Sequence, residues 1–242
     1  GSNSGNIIGD SMVANSIVYS GTTTNANFYG IRITSTGIIE CRNNIIAGIR
    51  TNNLSTNASN IYGILIEENS GQIGQKTIAG NIIGSKTIAA SIHAASSSTS
   101  QMQVVYGILK TIPFPINISN NHIANLTNGT TNTNTTTLGL IYGITSTAGS
   151  STITDNTIFN LSISNANSSP HSSFPVGGIV TTTSGPGIIN TVTGNTIYNL
   201  NNTFTNFVGH IRGIFFSSNA FTANTCSRNF IHSLSAPNSN SC

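Results

Sequence analysis

Residues 142–161 read YGITSTAGSSTITDNTIFNL, and the fold follows from how that stretch repeats. It joins two signatures: Tyr142-Gly143-Ile144, and then Ile153-x-x-Asn156-x-Ile158-x-x-Leu161. Both recur along the chain. Gly-Ile stands at Gly30, Gly63, Gly107, Gly143, Gly178 and Gly213, at intervals of 33, 44, 36, 35 and 35 residues. An apolar residue lies two places before each glycine: Phe28, Ile61, Val105, Ile141, Val176 and Ile211. The asparagine signature returns at Asn6, Asn44, Asn81, Asn121, Asn156, Asn195 and Asn229, and isoleucine follows every one of them two residues later. Cys41, Ile78, Ile118, Ile153, Val192 or Cys226 stands three residues before all but the first. Five residues after it come Ile49, Leu126, Leu161, Leu200 and Leu234, with Ser11 and Lys86 breaking the pattern.

Each repeat thus carries three short apolar segments of period two, rich in β-branched residues and bounded by Gly, Asn and Ser, which is the mark of strands. No window shows helical periodicity. A unit this small cannot bury its own apolar face, but stacked units can, and a fixed-period stack is a solenoid. The expectation is an all-β parallel β-helix of about six coils with three short strands per coil. Strands pair with their counterparts about 4.8 Å away in the next coil, so equivalent residues form columns. The isoleucine columns pack inside. Asn44, Asn81, Asn121, Asn156, Asn195 and Asn229 form a ladder at one tight turn, where asparagine tolerates left-handed backbone and its amide bonds to the rungs above and below. The glycine column marks a bulge, a positive φ or a place without room for a side chain. Tyr29, Tyr62, Tyr106 and Tyr142 precede four successive glycines and stack as an aromatic ladder, facing in or out. Segments 12–27, 50–60, 84–104, 127–140 and 162–175 read as long polar loops leaving one side of the rod, with TIAASIH in the third adding a small strand or a helical turn. The repeat runs unbroken through residues 1–242 as one domain, and no capping helix is legible at either end.

These columns resemble the right-handed parallel β-helix repeat proteins of the pectate-lyase-like superfamily, and most closely the Ile/Asn/Thr-rich β-helix repeats of large bacterial surface proteins. The resemblance spans residues 4–235. It implies the architecture, which hosts lyases, hydrolases, adhesins and passive stalks alike. A lyase of that superfamily needs clustered carboxylates for calcium and a base, whereas this chain supplies only Asp10, Glu40, Glu67, Glu68 and Asp155. Glu67 and Glu68 are strand neighbours and point to opposite faces. Glu67 with Lys110, one coil up, is the nearest thing to an acid–base pair, and a surface ion pair is the simpler reading.

Composition narrows the rest. Only 5% of the 242 residues are charged, against roughly a quarter in ordinary globular chains. The eight Lys and Arg form no stripe, which argues against nucleic acid as partner. No apolar run reaches the length of a membrane helix. The five histidines show no metal-ligand spacing, and no cofactor motif is present. Of the three cysteines, Cys41 and Cys226 share an inward column about 24 Å apart, too far to pair. Cys242 has three open fates: a disulfide to Cys226, a cross-link to a neighbouring molecule, or a free thiol. Threonine clusters raise ice binding, but the column after Gly-Ile reads Arg32, Leu65, Leu109, Thr145, Val180 and Phe215, and its irregularity argues against it. Asp10-Ser11-Met12 is similar to an O-glycosylation motif of some bacteria. The expected role is an extracellular, cell-surface structural or adhesive building block that pairs with other copies of itself, or with neighbouring coils of a longer array, and assembles end to end. The alternative is a polysaccharide-binding or polysaccharide-cleaving module, with the tyrosine ladder stacking on sugar rings.

Overall fold

The computed structural model describes residues 5–22, 25–53, 56–67, 74–168, 174–183, 185–217 and 223–237. Twenty-two strands wind into three parallel sheets, and among the described residues there is no helix. Sheet A holds the Asn-x-Ile segments: β1 (Ile7–Gly9), β2 (Ile17–Gly21), β5 (Ile45–Ala47), β6 (Ile49–Asn53), β9 (Ile82–Ile83), β10 (Ile92–Ser96), β13 (His122–Gly129), β16 (Thr157–Ile163), β19 (Thr196–Asn202) and β22 (Phe230–Ser235). Sheet B holds the Gly-Ile segments: β3 (Ala26–Ile33), β7 (Ser59–Ile66), β11 (Gln103–Lys110), β14 (Gly139–Ser146), β17 (Val176–Thr181) and β20 (Ile211–Phe216). Sheet C holds the segments that precede each ladder asparagine: β4 (Ile39–Arg42), β8 (Lys76–Ala79), β12 (Ile116–Ser119), β15 (Ser151–Thr154), β18 (Asn190–Thr193) and β21 (Thr225–Ser227). The chain therefore completes about six coils in the order A, B, C.

The column register read from the sequence is the register of the sheets. Cys41 pairs through Ile78, Ile118, Ile153 and Val192 to Cys226, one rung per coil. Ile46, Ile83, Ile123, Ile158 and Ile197 are fully buried, as are the sheet-B residues Ile64, Ile108, Ile144 and Ile179. Burying each such side chain stabilises the fold by roughly 1.5–3 kcal/mol.

The two signatures prove to be halves of one contact. A β-carbon built on Gly107 would lie 2.7 Å from Cγ2 of Ile123 and 2.5 Å from the carbonyl oxygen of Gly143 in the next coil. The same pair of neighbours recurs at Gly30, Gly63, Gly143 and Gly178. None of these glycines has positive φ. The column exists because the isoleucine two residues after each ladder asparagine fills the space a side chain would need.

The asparagine ladder runs through seven rungs, one more than the six expected, since Asn6 joins at the bottom. Backbone N and Nδ2 of each rung both donate to Oδ1 of the rung above, at 2.8–3.0 Å throughout. The other amide hydrogen returns to a carbonyl of the coil below, as Asn121 does to Ile78 (2.9 Å) and Asn156 to Ile118 (3.0 Å). One expectation is corrected. The left-handed backbone lies not at the rung but one residue earlier, at Asn43, Gly80, Asn120, Asp155, Gly194 and Arg228. That residue makes the turn, which leaves the rung free to aim its amide along the axis.

The loop expectations need revision too. Residues 12–27 and 84–104 are not simply loops, because β2 and β10 are the coils' own sheet-A strands. Ile17 and Ile92 occupy the column of Ile49, Leu126, Leu161, Leu200 and Leu234. The Ser11 and Lys86 exceptions vanish once residues 10–16 and 85–91 are seen as matching insertions in the first and third coils. They clasp the coil between them: Ser16 Oγ donates to the Gly48 carbonyl (3.1 Å), Gly48 N donates to Ser91 Oγ (3.1 Å), and Ser85 Oγ donates across to the Ser11 carbonyl (2.6 Å). TIAASIH accordingly holds the end of an insertion and the start of β10, so of the two expectations for it the strand is the one found.

Candidate binding surfaces

Sheet B carries the tyrosine ladder on its outer face. Tyr29 and Tyr62 stack at 5.1 Å between ring centroids, Tyr62 and Tyr106 at 5.7 Å, and Tyr142 meets Tyr106 edge-on. Tyr62, Tyr106 and Tyr142 belong to a second apolar cluster with Val104, Leu140, Phe174 and Val180, separate from the interior. Phe174 covers the upper end, where its carbonyl accepts from the Tyr142 hydroxyl at 2.6 Å. Burial, with the neighbouring Tyr29 and Glu67 adding to it, pushes Tyr62 up to about 12; burial likewise raises Tyr106 and Tyr142. Because Tyr29, Tyr62 and Tyr106 spend their faces on one another, this ladder offers ring edges and hydroxyls to a partner.

The outer face of sheet A forms a groove of about 560 Å³. Each full-length strand here is kinked by a left-handed residue, Asn125, Asn160, Asn199 or Ser233, which resets the alternation so that Ile123 and Leu126, three apart, both point inward. These kinks make a second amide ladder unseen in the sequence: Asn199 Nδ2 donates to Asn160 Oδ1 and Asn160 Nδ2 to Asn125 Oδ1, both at 3.0 Å. Thr127, Ser162, Asn201 and Ser235 line one side in register, and Ala89 and Ala90 of the second insertion close the lower end. One residue before each kink in β16, β19 and β22, Phe159, Tyr198 and His232 stack nearly parallel, at 4.7 and 5.0 Å. The groove carries amides along its floor, exposes more apolar than polar surface, and has no charged residue in its lining.

The titratable groups are not gathered into one place. Glu67 pairs with Arg32, not with Lys110. Glu40 pairs with Arg42 at 3.3 Å, and Asp10 accepts from the Met12 N–H at 2.7 Å. Glu68, His171 and Cys242 lie outside the described residues, and with Cys242 lies the pairing considered for Cys226. Burial pushes the Cys41 thiol up to about 11. Burial lowers His93, with Arg50 adding to it, and lowers His122, with Lys86 adding to it. Among the described residues no three His, Cys, Asp or Glu side chains stand together as a metal site, and no helix is long and apolar enough to cross a membrane.

Lys110 is the correction with most chemistry in it. Its place is in the column of Ile33 and Ile66, inside the corner between sheets B and C, and it is fully buried. Nζ donates to the carbonyls of Ala148 (2.5 Å) and Ser150 (2.9 Å) and to Ser151 Oγ (3.2 Å), which in turn meets Ser146 Oγ at 2.8 Å. Burial pulls its pKa down from 10.5 to about 7. Above pH 7 the unfolded chain therefore holds a proton that the folded chain has lost, so stability rises with pH, by up to about 1.4 kcal/mol per unit. Between pH 7 and 9, below the titration of Cys41, the gain is about 2–3 kcal/mol. Urea melts across that window are expected to show it for the wild type and a flat profile for Lys110→Met. Equal slopes for the two would refute the assignment.

Comparison of the chain with protein-family models, with curated proteins and with solved structures returns no match, so the likeness to pectate-lyase-like proteins rests on coil architecture alone.

Proposed function

We propose that the chain is an extracellular, cell-surface structural or adhesive solenoid element, a rod that lengthens coil on coil and assembles end to end into filaments. The observation that carries this is the polarity of the asparagine ladder. Every rung donates upward and accepts from below, so at the lower end Asn6 Oδ1 has no donor and at the upper end the Asn229 N–H has no acceptor among the described residues. Among the described residues, β22 of sheet A pairs only with β19, and β1 only with β5. Ile231 and Leu234, whose column mates are fully buried, are each 39% exposed at that edge. An unpaired edge with an apolar interior is a template for another strand. Ladder polarity makes the addition head to tail. The low charge density removes the usual repulsion between copies.

Electron microscopy and sedimentation of the 242-residue chain test the proposal. Rods that lengthen with concentration are expected, and Leu234→Lys should hold them at one unit. Monodisperse short particles at high concentration would overturn it. A second reading, polysaccharide binding, is favoured by the groove on sheet A, whose amide floor and hydroxyl wall suit an uncharged, hydroxyl-rich chain. A glycan array should then give a signal that Asn160→Gly abolishes; no signal from the wild type removes this reading.

A further inference from the structure

The expectation against ice binding was drawn from sheet B, from the irregular column after Gly-Ile. Sheet C carries a set of threonines other than the clusters at 22–24, 135–137 and 181–183. In β15, β18 and β21 the outward residues are Thr152 and Thr154, Thr191 and Thr193, and Thr225 and Ser227, and cross-coil pairing sets them in two straight columns. Asn117 and Ser119 of β12 extend the columns downward, followed by Thr77 and Ala79 of β8. Rungs stand about 4.8 Å apart along the axis, and residues of one strand about 6.6 Å apart across it. The strands β4, β8, β12, β15 and β18 are four residues each, paired without offset, and no left-handed residue falls within them. That makes a regular face.

A second observation concerns what the hydroxyls do. Some threonines elsewhere are drawn into the chain's own bonds, as Thr131 is to the Ser98 carbonyl (2.8 Å) and Thr147 to that of Lys110 (3.2 Å), while Thr51 and Thr145 are buried without a partner. On sheet C, Oγ1 of Thr152, Thr154 and Thr191 meets no protein group among the described residues. Thr193 contacts Ser227 Oγ (3.1 Å) and Arg228 Nε (3.4 Å). The four upper strands themselves contain no charged residue; Arg228, in the turn after β21, reaches Thr193 at the upper edge, and the Glu40–Arg42 pair lies on β4 at the foot. Beneath it lie the buried Ile118, Ile153 and Val192 and, at the adjoining turn, the asparagine ladder, so the grid is held rigid.

We propose that the outer face of sheet C binds ice. The ligand is defined by chemistry: a crystalline, uncharged, periodic array of water. Ions are excluded from that lattice, so a charged face would be repelled. Hydroxyls take the place of surface waters and keep their hydrogen bonds. The threonine methyls between them order the intervening water and gain by leaving the liquid. A preorganised grid spends little entropy on binding, which is what lets many weak contacts add up. This names the surface held by the adhesive half of the reading above and rests on it; filament growth is read separately, by sedimentation.

The test is partition of the whole chain into slowly growing ice, with ice-crystal shaping and inhibition of recrystallisation followed alongside. The wild type is expected to enter the ice and to facet the crystals. Thr191→Tyr, which plants a bulky ring mid-grid, should cut partition by about tenfold, as loss of a central contact does at other surfaces. Its circular dichroism and melting temperature should match the wild type. Thr225→Lys, at an exposed edge position, carries the same expectation should the first variant fail to fold. Val18→Tyr, on an exposed position of β2 in sheet A, should partition like the wild type. A wild type that is excluded from ice and leaves crystals rounded overturns the proposal. So does adsorption to microcrystalline cellulose without any effect on ice, or a Thr191→Tyr variant that folds and partitions unchanged.

Discussion

Asn156→Ala is expected to lower the unfolding free energy by about 4 kcal/mol, most of the margin of an ordinary domain. Asn156 sits at mid-ladder and is 1% exposed. Its Oδ1 accepts from N and Nδ2 of Asn121 at 2.9 Å, and its Nδ2 donates to the Ile118 carbonyl at 3.0 Å and to Asn195 Oδ1 at 2.9 Å. Truncation leaves the Asn121 N–H without an acceptor in a dry interior and weakens the satisfaction of Ile118 and Asn195, at about 1–3 kcal/mol for each orphaned buried group. The lost amide volume adds a cavity penalty. Asn199→Gly makes the comparison. It deletes an amide from the outer ladder, which is open to water, and glycine accepts the left-handed φ of 53° there without strain. Its cost should stay below about 1 kcal/mol. Chemical denaturation of both variants decides the matter: equal losses would mean that stacking of amides, irrespective of burial, is what the rod uses.

Gly107→Ala carries the second large effect. The backbone there has ordinary φ, so on conformational grounds alanine should help slightly, by under about 1 kcal/mol. The clash reverses the sign. A methyl would stand 2.5 Å from the Gly143 carbonyl oxygen, a backbone atom that moves only if two coils separate, and 2.7 Å from Ile123 Cγ2. Overpacking of this kind costs about 3 kcal/mol. If the contact is the reason for the column, the double variant Gly107→Ala, Ile123→Val should keep nearly all of the loss, because the carbonyl stays in the way and valine retains the γ-methyl, shedding only the Cδ1 at 3.1 Å. A Gly107→Ala protein as stable as the wild type would sink this account of the column.

Much of this fold is one-dimensional, and that is why it can be read. Each coil touches only its neighbours, so a residue's partner is the same position one repeat away. Asn121 and Asn156 align in space because they align in sequence. What escaped is concentrated where the phase of alternation is reset. The outward threonines Thr152, Thr191 and Thr225 of sheet C follow the Gly-Ile glycines of their coils by 9, 13 and 12 residues, so no fixed spacing announces them, and Glu40 and Arg42 open the same columns. Lys110 was read as exposed because lysine usually is; the corner between sheets B and C, with two carbonyls turned inward, overrides that preference. The matching insertions at residues 10–16 and 85–91 were visible as two broken columns, but only pairing shows that Ile17 and Ile92 repair them.

The amino-acid sequence by itself determined the solenoid, its period, its aliphatic interior and its inner ladder, because those follow from equivalent residues recurring at a spacing that only coil-on-coil stacking can satisfy. Tertiary structure alone decided which way the tyrosines face, where the left-handed turn falls, that Lys110 is buried, and that one of three sheets presents a bare hydroxyl grid. Those properties depend on the rotation of each strand about its own axis at the corners, a rotation set by packing and not by spacing along the chain.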